Sequence, residues 1–142
     1  RFQEMSAGQF EFRMYDLEKA GEGKNRGLDL MVYSTVTGKE REVRTLSGGE
    51  SFMAALSLAL GMADQIQESS AAINLDMMFI DEGFGSLDEH SRDQAVKVLQ
   101  NMAEGEKLIG IISHVTELKQ EIEDQVIVTK DDQGSHTRWQ IS

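Results

Sequence analysis

Two stretches of this chain combine residue types suited to phosphate and metal chemistry. The first is Ser47-Gly48-Gly49-Glu50, which opens a long apolar run expected to be helical. Glycine in a helix costs about 1 kcal/mol relative to alanine, so a consecutive pair needs a reason. One reason is close approach of another group to bare backbone. At a helix N-terminus that group is most naturally a phosphate, because unpaired N–H groups and the positive end of the helix dipole point outward there. Ser47-x-x-Glu50 is also a capping box, in which serine and glutamate each bond the other's backbone N–H. Capping alone accounts for Ser47 and Glu50 and leaves Gly48 and Gly49 unexplained.

The second stretch is Asp81-Glu82, which closes the run 75–80, apolar except for Asp76. Adjacent carboxylates at the end of a buried strand are costly to desolvate unless positive charge compensates them. A divalent cation is the natural compensation, and Mg²⁺ takes one or two carboxylates together with phosphate oxygens and waters. An apolar run ending in aspartate is the second signature of nucleotide-hydrolysing P-loop proteins. With Asp81 on the metal's water shell, Glu82 is free to polarise an attacking water. A strand that merely ends in surface acids has the same pattern. His114, after the apolar run 108–112 and Ser113, has a neutral imidazole able to donate one hydrogen bond to a phosphate oxygen. A loop or capping histidine is the alternative. His90 and His136 lie in polar surroundings and read as surface residues. The absence of an H-x₃-H spacing argues against a histidine metal site.

These residues need a frame. Residues 1–8 read as the end of a helix, with Phe2 and Met5 three apart and Gly8 as the stop. Phe10, Phe12 and Met14 alternate with Glu11, Arg13 and Tyr15 as in a half-buried strand. Residues 16–27 are polar and glycine-rich, a loop. Leu28, Leu30, Val32 and Ser34 form one face of a second strand; Thr37-Gly38-Lys39 is a turn, and a third strand spans about 40–44. The helix from Glu50 to about Ile66 is apolar on nearly all sides, as in a buried helix. The runs 75–80 and 108–112 show no alternation, which predicts parallel strands covered on both faces. Between them Ser86-x-x-Glu89 reads as a second capping box before a helix reaching about Ala103, with apolar stripe Ala95, Val96, Leu99, Met102 and Ala103. A short helix near 115–120 and a hairpin around 131–134 complete the chain. The strand–helix–strand unit implies a right-handed parallel crossover, and in such sheets ligands sit beyond the carboxyl ends of the strands. Asp81-Glu82 and His114 both fall there.

A P-loop, Gly-x₄-Gly-Lys followed by Ser or Thr, is missing from the sequence. The two Gly-Lys pairs are Gly23-Lys24, followed by Asn25, and Gly38-Lys39, followed by Glu40, with Glu18 and Tyr33 where the first glycine is required. The chain carries the second half of a nucleotide site and lacks the first. Its 142 residues suffice for one domain with a core. A net charge of −11 predicts little direct DNA or RNA affinity, since nucleic-acid modules present basic surfaces. With no cysteine, disulfides and cysteine zinc sites are excluded, in keeping with a reducing cytoplasm. No apolar run reaches the roughly 20 residues of a membrane span. The first residue is Arg1 rather than methionine, and the chain is expected to be a piece of a longer polypeptide.

Taken in order, the motifs resemble the ABC ATPase family. Thr45-Leu46-Ser47-Gly48-Gly49-Glu50-Ser51-Phe52 is similar to the ABC signature, Met77-Met78-Phe79-Ile80-Asp81-Glu82 to Walker B, Gly85-Ser86-Leu87-Asp88 to the D-loop, and Ile112-Ser113-His114 to the histidine switch. Transporter ATPases usually read Ser-Gly-Gly-Gln and Asp-Glu-Pro, where this chain has Glu50 and Gly83. These variants resemble instead the SbcC-type ATPases of bacterial SbcCD nucleases, over essentially the whole chain. The resemblance implies an α/β fold, the C-terminal lobe of an ABC/SMC-type head: a mixed sheet with parallel core strands flanked by helices, plus an antiparallel meander. It implies one domain over 1–142, with 1–8 the end of a coiled-coil arm. The P-loop would lie in an N-terminal half of the same head. Two heads would then dimerise head to tail around two ATPs, gating DNA access for the partner nuclease SbcD. Ser47, Gly48, Gly49 and Glu50 would face nucleotide held by the opposite head. Asp81 would hold Mg²⁺ through water, Glu82 would be the general base, His114 would touch the γ-phosphate in cis, and Ser86 and Asp88 would link the two sites. It further implies a cytoplasmic, nucleoid-associated protein. A head from another SMC-like repair or chromosome protein such as RecN, or a non-catalytic assembly module when isolated, are the alternatives.

Overall fold

Phe2 and Met5 sit one turn apart on helix α1 (Phe2–Met5), and both are buried. The computed structural model describes residues 1–14, 30–69, 76–104 and 107–141. Tyr15, the glycine-rich stretch 16–27, Leu28 and Leu75 lie outside them. Gly8, at φ +79°, turns the chain into β1 (Phe10–Met14). The Phe2 ring stacks on Phe10 at 5.8 Å and lies 4.6 Å from Phe12. Buried Ser6 is fully used: its hydroxyl donates to the Phe2 carbonyl at 2.7 Å and accepts from the Phe10 N–H at 3.0 Å. Strand β1 pairs antiparallel with β2 (Leu30–Ser34), and β2 with β3 (Lys39–Glu42), around the expected turn at Gly38. The third strand stops at Glu42, short of Arg44. Residues Val43–Thr45 form a 3₁₀ turn in which the Thr45 hydroxyl donates to the Glu42 carbonyl, swinging the chain off the sheet.

Helix α2 (Gly48–Ser69) is longer at both ends than the apolar run predicts. Met53, Ala54, Leu56, Ser57, Leu60 and Ala63 are buried, whereas Ala55, Leu58, Ala59, Met62 and Ile66 are exposed. The expectation of a helix buried on all sides is therefore corrected. Helix α1 and the turn at Phe84 cover one side of α2, and its other apolar side stays bare.

Strands β4 (Met77–Asp81) and β5 (Leu108–Ile112) pair in parallel, from Met77↔Leu108 to Asp81↔Ile112, and α3 (Glu89–Ala103) connects them. Among the described residues, coverage on both faces does not occur. Met78, Ile80, Ile109 and Ile111 pack on the core. On the opposite face Met77, Phe79, Leu108 and Ile112 are 54–63% exposed. The second capping box is also corrected. Ser86 lies inside a 3₁₀ turn (Phe84–Ser86) and its hydroxyl donates to the Gly83 carbonyl at 2.7 Å. Asp88 caps α3 instead, accepting from the Ser91 N–H at 2.9 Å. Val98 joins the buried stripe of α3, and Ala103 is exposed.

Helix α4 (Leu118–Glu121) is a single turn, shorter than expected. The hairpin is present as β6 (Gln125–Asp131) and β7 (Gly134–Gln140), with Val126, Val128 and Trp139 exposed on one face. The mixed α/β composition is borne out, with the described strands in one three-stranded antiparallel sheet, one parallel pair and one antiparallel pair. Among the described residues no helix is long and apolar enough to cross a membrane.

Candidate functional site

Parallel pairing of β4 with β5 brings their carboxyl ends together. The Glu82 N–H donates to the Ile112 carbonyl at 2.8 Å, extending the ladder one residue past β4. His114, two residues beyond β5, places Nδ1 2.9 Å from Glu82 Oε2 and 3.1 Å from Oε1. An ionised carboxylate only accepts, so Nδ1 carries the hydrogen. In a neutral ring that leaves Nε2 as an acceptor, and only the doubly protonated ring donates on both sides. Both side chains are well exposed, at 82% for His114 and 49% for Glu82. Asp81 is exposed beside them, on the same face as Phe79. Among the described residues no three His, Cys, Asp or Glu side chains cluster as a metal site. Asp81 with Glu82 thus offers one or two carboxylates and no protein cage. That donor set fits Mg²⁺, which keeps waters and phosphate oxygens, better than a cage-bound metal.

Glu82 has φ +58°, a left-handed conformation that costs a non-glycine residue about 1–2 kcal/mol. Gly83 follows at φ +96°. Proline, locked near −65°, could not occupy this position. A Cβ on Gly83 would stand 2.1 Å from Cε2 of Phe52. The Phe52 ring meets buried Phe84 edge-on at 5.1 Å.

The capping box at the start of α2 is closed in both directions. The Glu50 N–H donates to Ser47 Oγ at 3.2 Å, and the Ser47 N–H to Glu50 Oε2 at 2.8 Å. Arg41 on β3 donates to Glu50 Oε1 at 2.7 Å. Partial burial pushes the Glu50 carboxyl up, but the Ser47 N–H and the Arg41 guanidinium outweigh it and hold it below its ordinary value. Both Glu50 oxygens are thus occupied within the chain. The exposed Asp88 carboxyl is held below its ordinary value by the Ser91 N–H and hydroxyl.

The two glycines differ. A Cβ on Gly49 would lie 2.7 Å from the Ser86 carbonyl oxygen, whereas one on Gly48 would come no closer than 3.8 Å, to Ser86 Cβ. Close packing within the chain therefore accounts for Gly49 without a ligand. Gly48, exposed beside exposed Ser47, keeps an open backbone. Glu82 and His114 lie at the same sheet end and the Ser47–Glu50 box is formed, both as the sequence predicts. Arg41, the Phe52–Gly83 contact and the Asp88 cap are not foreseen by spacing. Glycine directly after Asp81-Glu82 was the one visible signal.

In solved structures the fold matches SMC ATPase heads. A chain from a study of ATP-driven dimerization and DNA-stimulated activation of SMC ATPases superposes with a TM-score of 0.72 at 16% identity, covering 97% of this chain and 77% of that one. The Smc head domain from Pyrococcus furiosus with an extended coiled coil, bound to the C-terminal domain of ScpA, gives 0.69 at 18% identity, covering 97% and 32%. The fold is that of an SMC-type ATPase head. At the level of sequence, the SbcC/RAD50-like Walker B family model matches residues 8–101. The SbcC subunit of the SbcCD nuclease from Treponema pallidum is 50% identical over 136 residues, covering 96% of this chain and 13% of that protein. Its Vibrio cholerae counterpart is 51% identical over 138 residues, covering 97% and 14%. The chain belongs to the SbcC/RAD50-like family. It spans about one seventh of the length of these curated relatives.

Proposed function

We propose that residues 1–142 form one unit, the C-terminal half of an SbcC-type ATPase head, with 1–8 ending a coiled-coil arm. The observation that carries this reading is the Glu82–His114 pair, 2.9 Å apart at the ends of parallel strands and next to Asp81. A carboxylate oriented by an imidazole is suited to accept a proton from an attacking water. Asp81 would hold Mg²⁺ through water, and the ion, when bound, would neutralise developing phosphate charge. His114 would orient Glu82 through its Nδ1–H and, with the ring doubly protonated, donate its Nε2–H to the γ-phosphate. Ser47, Gly48 and Gly49 would present helix N–H groups to ATP held by a second head. Glu50 would hold that turn in shape, and Ser86 and Asp88 would lie between the two sites. ATP would then hold two heads together and drive, in the cytoplasm at the nucleoid, DNA double-strand-end processing by SbcD.

Supporting the half-head reading are the bare apolar faces of β4–β5, α2 and the β6–β7 hairpin. Exposed apolar surface of this extent marks an interaction site, and an N-terminal half carrying the P-loop is the occupant proposed. Without a P-loop, the isolated chain is expected to hydrolyse no ATP. The test is to supply the N-terminal half and measure hydrolysis with and without Ser47→Arg. Hydrolysis is expected only from the two halves together. Ser47→Arg is expected to leave nucleotide binding by a single head intact and block ATP-driven dimerisation. A reconstituted head that binds Mg-ATP and turns none over would point to an assembly module instead.

A further inference from the structure

The backbone carrying Glu82 is in an unfavourable conformation, and one aromatic ring packs against it. Glu82 at φ +58° and Gly83 at φ +96° are consecutive left-handed residues. Apart from Glu82, Ala7 is the one non-glycine residue with positive φ among the described residues. Such conformations persist where surrounding structure over-determines them. Here the Ile112 carbonyl holds the Glu82 N–H, and the Phe52 ring occupies the space in front of Gly83. Three ring atoms of Phe52 fall within 2.9 Å of where a Gly83 Cβ would be. The ring is itself anchored, edge-on, to the fully buried Phe84. One turn earlier, Gly49 meets the Ser86 carbonyl. The first two turns of α2 therefore touch the 83–86 loop at two points, and the Phe52 contact falls on the residue next to Glu82 in the chain.

We propose that Phe52 is a positioning residue for Glu82. Its ring holds the Glu82–Gly83 backbone left-handed and thereby aims the carboxylate at His114 and the reacting water. This rests on the reading of Glu82 as general base and adds to it a residue from the signature helix. The ring needs Gly83, because any side chain there would collide with it. That explains on physical grounds why this chain reads Asp-Glu-Gly rather than Asp-Glu-Pro.

The test uses the full-length protein that carries this segment, with its nuclease partner. Phe52→Leu keeps apolar volume over Phe84 but removes the flat ring; Phe52→Ala removes both. Each is made with Glu82 and with Glu82→Gln, and kcat and KM for ATP are measured. Misplacing a reacting group by about 1 Å costs on the order of a hundredfold, so Phe52→Leu is expected to lower kcat roughly tenfold to a hundredfold. KM is expected to stay within about twofold. In the Glu82→Gln background, neither Phe52 variant is expected to lower the residual rate further. Equal fold losses in both backgrounds, a change in KM alone, or wild-type kcat in Phe52→Leu would overturn the proposal while leaving Glu82 as base. Wild-type kcat in Glu82→Gln by itself would overturn the base assignment, and the role of Phe52 with it.

Discussion

The carbonyl oxygen of Ser86 lies against Gly49 so closely that a Cβ there would stand 2.7 Å from it. Two motifs separated by 37 residues of sequence are thereby fixed to each other, with backbone as the obstacle on one side. Gly49→Ala is expected to destabilise the protein by about 1–3 kcal/mol, as overpacking does. Gly48→Ala meets nothing closer than 3.8 Å and is expected to unfold like the wild type. If Gly48 is kept open for phosphate, that variant will lose ATP-driven dimerisation while keeping its fold. Urea denaturation and size-exclusion chromatography with ATP separate the two effects. Equal stability losses would show that the contact at Ser86 does not distinguish the glycines.

The bare face of β4–β5 gives a second expectation. Phe79 is 63% exposed and lies over Gly110, where a Cβ would come within 2.5 Å of its ring. Burying such a side chain contributes about 1.5–3 kcal/mol. Phe79→Glu is expected to raise the solubility of the isolated chain and weaken capture of the N-terminal half by about tenfold to a hundredfold. Unchanged capture would mean that this face is not the contact.

The start of α3 distinguishes two possible caps. Asp88→Ala is expected to lower Tm by a few degrees, as loss of an N-cap does, while Glu89→Ala leaves it within about a degree. The reverse order would restore the Ser86-x-x-Glu89 box.

How far the sequence was legible depended on the kind of signal. The run 108–112 was found with its bounds intact because unbroken apolar residues mark a strand. Coverage on both faces was not, because a sequence run does not say which chain supplies the cover. Ser86-x-x-Glu89 fitted the capping spacing, but a 3₁₀ turn consumed Ser86 and left Asp88 in the capping position. The Glu82–His114 meeting followed from parallel strands ending together. Phe52 was one apolar residue in a run, and its contact with Gly83 depends on the loop's left-handed backbone, which spacing alone does not reveal.

The Glu50 carboxyl sets a pH dependence. Despite partial burial, its value in the folded protein lies below the ordinary glutamate value, held there by the Ser47 N–H and the Arg41 guanidinium. Its contribution to stability is therefore complete well above that value and lost as pH falls through the lower folded value. Arg41→Ala is expected to flatten this part of a stability–pH curve, and added salt to flatten it partly, because the pair is partly exposed. An unchanged curve in Arg41→Ala would remove Arg41 from the account of the signature turn.

The most direct measurement is single-turnover ATP hydrolysis by the full-length protein bearing Glu82→Gln, with head dimerisation followed in parallel. Loss of a positioned base lowers the rate by roughly a hundredfold or more. The expected result is a stable ATP-bound head dimer with hydrolysis slowed to that extent. Hydrolysis at the wild-type rate would contradict the assignment of Glu82 as the general base.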